Sequence, residues 1–142
     1  MKSDVNFRTV TSLDLLPSVD FKSKNIRYIE VPDRDFTCYG VENESVDFVF
    51  SFGVFCHMSL EACQKYLNSM FKKLRPGGQV SLYFSNNTRR PHPETQTFDP
   101  NVVQWVRNDY ETTEEMLVKA GFTQVRDLMP DLFDTMIYGM KA

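Results

Sequence analysis

The amino-acid sequence predicts an α/β fold on a mostly parallel sheet that closes with an antiparallel pair. Three observations carry this. Residues 45–52 (SVDFVFSF) and 79–84 (QVSLYF) are short apolar runs separated by an amphipathic stretch, the pattern of one β-α-β unit. The first run is apolar on both faces after Asp47, as parallel strands covered by helices on both sides are. Residues 122–129 and 135–141 alternate apolar with polar side chains across a short connection holding Pro130 and Asp131, which makes them an antiparallel hairpin.

The elements follow in chain order. Residues 7–16 (FRTVTSLDLL) are rich in β-branched and apolar side chains and form a strand ending near Asp14, with Pro17 stopping it. Residues 25–31 (NIRYIEV) form a second strand, closed by Pro32. Residues 33–43 are polar, contain Gly40 and form a loop. After the strand at 45–52, Gly53 lets the chain leave the strand tip at an angle that a Cβ would resist.

Ser59 then stands as an N-cap, and Glu61 sits in the first helical turn, where the helix dipole favours an anion. Leu60, Cys63, Leu67, Met70, Phe71 and Leu74 share one stripe, with Gln64, Lys65, Asn68 and Lys72 mostly opposite. Lys72, Lys73 and Arg75 lie at the negative end of the dipole, and Pro76 and Gly77 end the helix. The longest irregular segment, 86–101, holds Pro91, Pro93 and Pro100, and loops of that length in compact domains are often functional. A short helix is expected within 101–108, around Val102, Val103, Trp105 and Val106. Thr112 opens a T-x-x-E capping box with Glu115, and that helix runs through Met116, Leu117 and Ala120 to Gly121.

Composition bounds the function classes. The 142 residues suffice for one domain with a core, and 42% hydrophobic with 25% charged residues is ordinary for a globular chain. A net charge of −3 gives no broad electrostatic grip on nucleic acid or on an anionic membrane. The first residues form no apolar run of signal-peptide type, and the longest apolar stretch, 48–58, is far short of the roughly 20 residues of a membrane helix. Cys38, Cys56 and Cys63 are odd in number and form no C-x-x-C pair, which reads as a reducing, cytoplasmic location. With only His57 and His92 available, no metal site is expected.

Several of these pieces occur together in one known family. The strand at 47–52, the helix after it, the turn Leu74-Arg75-Pro76-Gly77-Gly78 with its strand, and the T-x-E-E-h-h-x-x-A-G-F run at 112–122 resemble the class I S-adenosylmethionine-dependent methyltransferases. The resemblance covers the chain from about residue 7 to its end. It implies a Rossmann-like sheet of order 3-2-1-4-5-7-6, in which the strand at 47–52 is the fourth and the L-R-P-G-G turn enters the fifth. It also implies methyl transfer from S-adenosylmethionine to a small-molecule acceptor. Asp14 matches the carboxylate that binds the donor's ribose hydroxyls, and a carboxylate can accept from both; a plain strand-end carboxylate is the alternative. Asp33 matches the acidic position near the adenine amine, with Asp35 competing for that role and a loop Asp bonded to its own backbone as the alternative. Ser51, Phe52 and Gly53 line the donor's methionine part.

Phe55 and His57 follow in the same crevice as acceptor-side residues, and His57 is the candidate general base, since imidazole titrates near neutrality. Methyl transfer itself asks little of side chains, because the sulfonium is already a strong electrophile and alignment does most of the work. Arg89, Arg90 and His92 are candidates to recognise an anionic acceptor, or are a solvated cationic loop. Trp105 and Tyr110 are candidates to lid the crevice, or are core.

The chain departs from the family at one place. The pattern needs a first strand ending in E/D-x-G-x-G-x-G, and this chain has no glycine before Gly40. Residues 1–142 therefore read as a single methyltransferase-like domain lacking the first strand and glycine-rich loop on its N-terminal side. Three arrangements follow: a truncated piece of a longer enzyme, direct pairing of the family's strands two and four, or a homodimer or partner chain that completes the sheet. Two functions follow with them. One is a methyltransferase, or the C-terminal two-thirds of one and inactive alone. The other is a non-catalytic methyltransferase-like module that binds or stabilises a partner protein.

Overall fold

A computed structural model describes residues 10–14, 26–30, 35–89, 108–132 and 134–142. In chain order these form β1 (Val10–Asp14), β2 (Ile26–Glu30), β3 (Val46–Ser51), a 3-10 turn (Phe55–His57), α1 (Leu60–Lys73), β4 (Leu74–Phe84), α2 (Tyr110–Ala120), β5 (Thr123–Asp127) and β6 (Thr135–Met140). The strands make two separate sheets. β1 and β2 pair in parallel, and the other four run in the order β3-β4-β6-β5. β3 and β4 are parallel, while β6 is antiparallel to both of its neighbours. This is the mixed α/β architecture expected from the sequence, with the closing antiparallel pair. β1 does not pair with β3, so the arrangement in which those two strands meet directly is not the one found.

α1 forms as its stripe predicts. The Ser59 hydroxyl accepts from the Ala62 amide at 3.2 Å, and Cys63, Leu67 and Met70 are buried. Its last carbonyls, on Lys72 and Lys73, accept from the amides of Glu44 and Ser45 at 3.0 and 2.9 Å, so the chain entering β3 closes the helix end. The helix passes directly into β4 at Leu74, and the L-R-P-G-G turn lies inside that strand. Val46 faces Leu74 and Phe48 faces Gln79, so residues 75–78 bulge out of the ladder, where Pro76 has no amide to give it.

α2 differs from expectation at its start. Asp109 is the N-cap, and its carboxylate accepts from the Thr112 amide at 2.7 Å, so Thr112 is inside the helix. A carboxylate at the positive end of the dipole is a stronger acceptor than a hydroxyl one turn later. The helix ends at Gly121 with φ 108°, where a Cβ would also lie 2.8 Å from the Phe71 ring.

Both helices pack on one face of the four-stranded sheet. Val80, Leu82, Phe84 and Ile137 from the strands meet Cys63, Leu67 and Met70 from α1 and Met116 and Leu117 from α2. The opposite face is set by register: Phe48 beside Gln79 and Met140, Phe50 beside Ser81 and Tyr138. Among the described residues no helix is long and apolar enough to cross a membrane.

Candidate functional site

Ligands of open α/β sheets bind beyond the carboxyl ends of the parallel strands, which here is the tip of β3 beside the end of β4. β3 finishes at Ser51, opposite Leu82. Phe52 turns out of the strand and lies over Tyr83, ring centroids 4.6 Å apart. Gly53 follows at φ 71°, and a Cβ there would meet nothing within 4 Å. The residue thus meets a backbone requirement and leaves the strand tip bare. The 3-10 turn then leads the chain to α1, with the His57 amide donating to the Val54 carbonyl at 3.0 Å and the His57 residue exposed at the turn's end.

Phe55 is elsewhere than the sequence reading put it. It is 3% exposed and packs at 5.1 Å on Phe84 and 6.0 Å on Tyr66, ring centroid to centroid, so it is core and not a wall of the crevice. The preceding Gly53 turns the chain back over the sheet, and the apolar ring goes where it loses most water. Under it lies the Cys63 thiol, whose pKa burial pushes up to about 12; its Sγ donates weakly to the Phe55 carbonyl at 3.7 Å. That thiol is an inert core group.

The end of β4 carries a buried polar network. Tyr83 donates its hydroxyl to Asp134 Oδ2, and the Asn86 amide donates to Asp134 Oδ1 at 3.3 Å. The Asn86 side-chain amide donates to Thr135 Oγ1 at 2.9 Å, and its Oδ1 accepts from the Thr88 amide and hydroxyl at 3.1 and 2.7 Å. The Asn87 amide donates to the Asn108 carbonyl at 2.9 Å, which pinches together the two ends of the long segment between them. Asn108 is held in turn by the Thr113 hydroxyl, 2.8 Å from its Nδ2. Buried polar groups of this kind are stable only when mutually satisfied, and this set fixes the base of the loop beside the strand tips.

Sequence reasoning missed Tyr83, Asn86 and Asp134. The only signal was the run of small polar residues at 85–88 after an apolar strand, which also fits an ordinary loop start. Arg89 is engaged: its Nη1 lies 2.7 Å from Asp127 Oδ2 and donates to the Met129 carbonyl at 3.3 Å, with the Asp127 side chain only 8% exposed. The Asp127 contact is ionic rather than a directed hydrogen bond, since that oxygen has no aligned donor. Tyr110 opens α2 and donates to Glu114 at 3.2 Å, part-buried against the core. Asp14 is the last residue of β1, paired with Glu30 and so on the two-stranded sheet. Asp33, Arg90, His92, Trp105 and the helix expected around Trp105 lie outside the described residues. Among the described residues no group of His, Cys, Asp and Glu could hold a metal ion.

Residues 3–82, more than half of the chain, match the family model of a methyltransferase domain. No curated protein matches the chain in sequence. Among solved structures, the fold is similar to an S-adenosylmethionine-dependent methyltransferase from Mesorhizobium loti, with TM-score 0.69, 14% identity, and 94% of this chain and 81% of that one covered. It is also similar to the 1,6-didemethyltoxoflavin-N1-methyltransferase of Burkholderia thailandensis, solved with 1,6-didemethyltoxoflavin and S-adenosylhomocysteine: TM-score 0.68, 16% identity, 94% and 61% covered. A third is the apo methyltransferase SibL, with TM-score 0.62, 19% identity, and 83% and 36% covered. The chain thus spans 36% of SibL and 61% of the Burkholderia enzyme.

Proposed function

The chain belongs to the methyltransferase-domain family, and from that premise we propose that it serves S-adenosylmethionine-dependent methyl transfer to a small-molecule acceptor. The observation that carries the reading is the bare tip of β3, Ser51-Phe52-Gly53, set beside a loop base that a buried network holds in place. The described residues fit one side of such a donor. The strand tip offers backbone amides, the Ser51 hydroxyl and the face of Phe52 to its methionine end. They do not close around it, because β1 with Asp14 and β3 with Ser51 belong to separate sheets. Asp14 and Asp33 are the carboxylates assigned to ribose and adenine in this reading, and a strand outside the described residues completes the sheet.

When bound, the sulfonium donor supplies an electrophilic methyl group. The work left to this chain is alignment, and the Asn86–Asp134 network holds the end of β4 rigid beside the strand tip for it. His57, exposed beside the strand tip, is the group assigned to take the acceptor's proton.

Titration of the chain with S-adenosylhomocysteine, followed by amide NMR, tests the reading. Weak, saturable shifts confined to Ser51, Phe52, Gly53 and Asp14 are expected. Unmoved amides at several millimolar ligand overturn it. A second reading, a non-catalytic module that holds a partner, is favoured by the exposure of Phe48, Phe50 and Phe52. A stable monomer in light scattering that binds the donor by itself would remove that alternative.

A further inference from the structure

We infer that Tyr83 and Asp134 are positioning residues that hold the ring of Phe52 in one pose at the tip of β3. Phe52 is 62% exposed and follows the last residue of that strand. Gly53, next in the chain, has a positive φ and open space where a Cβ would stand. Neither the strand nor the turn confines the ring. An exposed side chain at such a place keeps its rotamer freedom unless a contact removes it. Among the described residues the Phe52 ring has one aromatic neighbour, Tyr83, tilted by 41° with centroids 4.6 Å apart. That spacing is ordinary for a favourable aromatic pair.

The Tyr83 ring is fixed where the Phe52 ring is not. Its backbone lies in β4, between β3 and β6, opposite Met136. Its hydroxyl, at the far end of the ring, donates to Asp134 Oδ2. Asp134 is buried, and its Oδ1 accepts from the Asn86 amide at 3.3 Å. The next residue, Thr135, pairs with Phe84 across the β4–β6 ladder and accepts from the Asn86 side chain at 2.9 Å. The carboxylate therefore stands on two strands already hydrogen-bonded to each other. A ring tied at its tip to such a group does not swing about its Cα–Cβ bond without giving up the hydrogen bond. A Phe at position 83 would fill the same space without that tie. The hydroxyl is thus the part of Tyr83 that makes its ring a rigid backing for Phe52.

The inference rests on the proposed function for the use of the held ring, not for the holding. A wall already in place when the donor arrives spares the ordering of one side chain on binding. Tyr83 is itself buried, with Phe52 over it, so it acts through that ring.

The test replaces Phe52 of the full chain by para-fluorophenylalanine and, in a second preparation, Phe48 on the same strand. Fluorine NMR without ligand is expected to give one narrow Phe52 line, displaced from the free amino acid by the Tyr83 ring. Tyr83→Leu removes the ring and should return the line to the free value. Tyr83→Phe keeps the ring and should move the line part of the way and broaden it. Asp134→Ala should act like Tyr83→Phe, and the double variant no more than either, since both break one hydrogen bond. The Phe48 line should stay in place throughout. An unmoved Phe52 line, or equal movement at Phe48, overturns the inference. Titration with S-adenosylhomocysteine then reads the use of the ring. Tyr83→Phe should weaken binding about threefold, the effect of ordering one side chain on binding. Val80→Ala, a core change on the helix-covered face, should leave it unchanged. Equal affinity in the parent and Tyr83→Phe, or equal weakening by the two variants, also overturns the positioning role. No donor response in any chain sinks the methyl-transfer reading, and the fluorine lines still decide whether Tyr83 and Asp134 hold Phe52. Donor binding with an unmoved Phe52 line keeps that reading and sinks the inference.

Discussion

The helix-covered face of the four-stranded sheet and the free edge of that sheet at β3 are made of the same kind of residue and meet different fates. Phe84, Leu82 and Ile137 are wholly buried under α1 and α2, while Phe48, Phe50 and Phe52 are 41%, 60% and 62% exposed. The local sequences, VSLYF and DFVFSF, hold four apolar residues each. What separates them is the presence of a neighbour. β4 is flanked on both sides and roofed by two helices, and β3 is flanked on one side only. Stability in this chain accordingly concentrates in the half built from α1, β4, α2 and β6, and the candidate site lies where that half borders the open edge.

The largest test of this contrast is Phe84→Ala. Removing a wholly buried ring from that core should cost roughly 3–5 kcal/mol, a large part of the total stability of a small domain. Urea denaturation measures it, and a loss below about 1 kcal/mol would show that the covered half is less closed than its burial implies. Next comes Asp134→Ala, which leaves the Tyr83 hydroxyl and the Asn86 amide without their shared acceptor inside the protein. About 2 kcal/mol is expected, together with faster exchange of the Asn87 amide if Asp134 secures the loop base. Unchanged exchange at Asn87 would confine the network to stability and detach it from the site.

The covered half was legible in the sequence because its signals are local and periodic. The α1 stripe, the Ser59 cap, the β3-α1-β4 unit and the closing antiparallel pair each follow from spacing within one element. The α2 cap was misread because Asp109 and Thr112 both suit an N-terminus, and only the backbone reveals which one has left the helix. Phe55 was assigned to the crevice by adjacency to Gly53, although a glycine at positive φ reverses the chain and sends the next ring into the core. Asp134 and Asn86 could not be paired in advance, since they lie 48 residues apart. The absent first strand was expected from a missing motif, the glycine turn, and no property of the β3 residues signalled that their edge stands open.

Smaller effects sharpen the same contrast. Burial moves the Cys63 thiol from 9.0 to about 12. Between those values the unfolded thiol is ionised while the folded one keeps its proton. The folded state then binds more protons, so stability falls as pH rises through that window and is unaffected by this group below it. Denaturation midpoints against pH should fall less steeply above pH 9.0 in Cys63→Ala than in the parent chain; parallel curves would place the thiol in water. Asp109→Ala should cost about 1 kcal/mol as the loss of an N-cap, and Thr112→Ala within about 0.5 kcal/mol. The reverse order would restore the Thr112 capping box.

The smallest change in stability is expected at an exposed ring of the edge strand. Phe50 stands 60% in water on the edge strand, so Phe50→Ala removes little burial and leaves no cavity. Its effect on urea denaturation should stay within about 0.5 kcal/mol, while the tendency of the chain to self-associate falls. A polar replacement, Phe50→Thr, should behave alike, since β-branching suits a strand and no packing is lost. A cost at Phe50 approaching that at Phe84 would mean that the ring is covered in solution. The β3 edge would then be closed by this chain itself, and the distinction between a finished half and an open one would disappear.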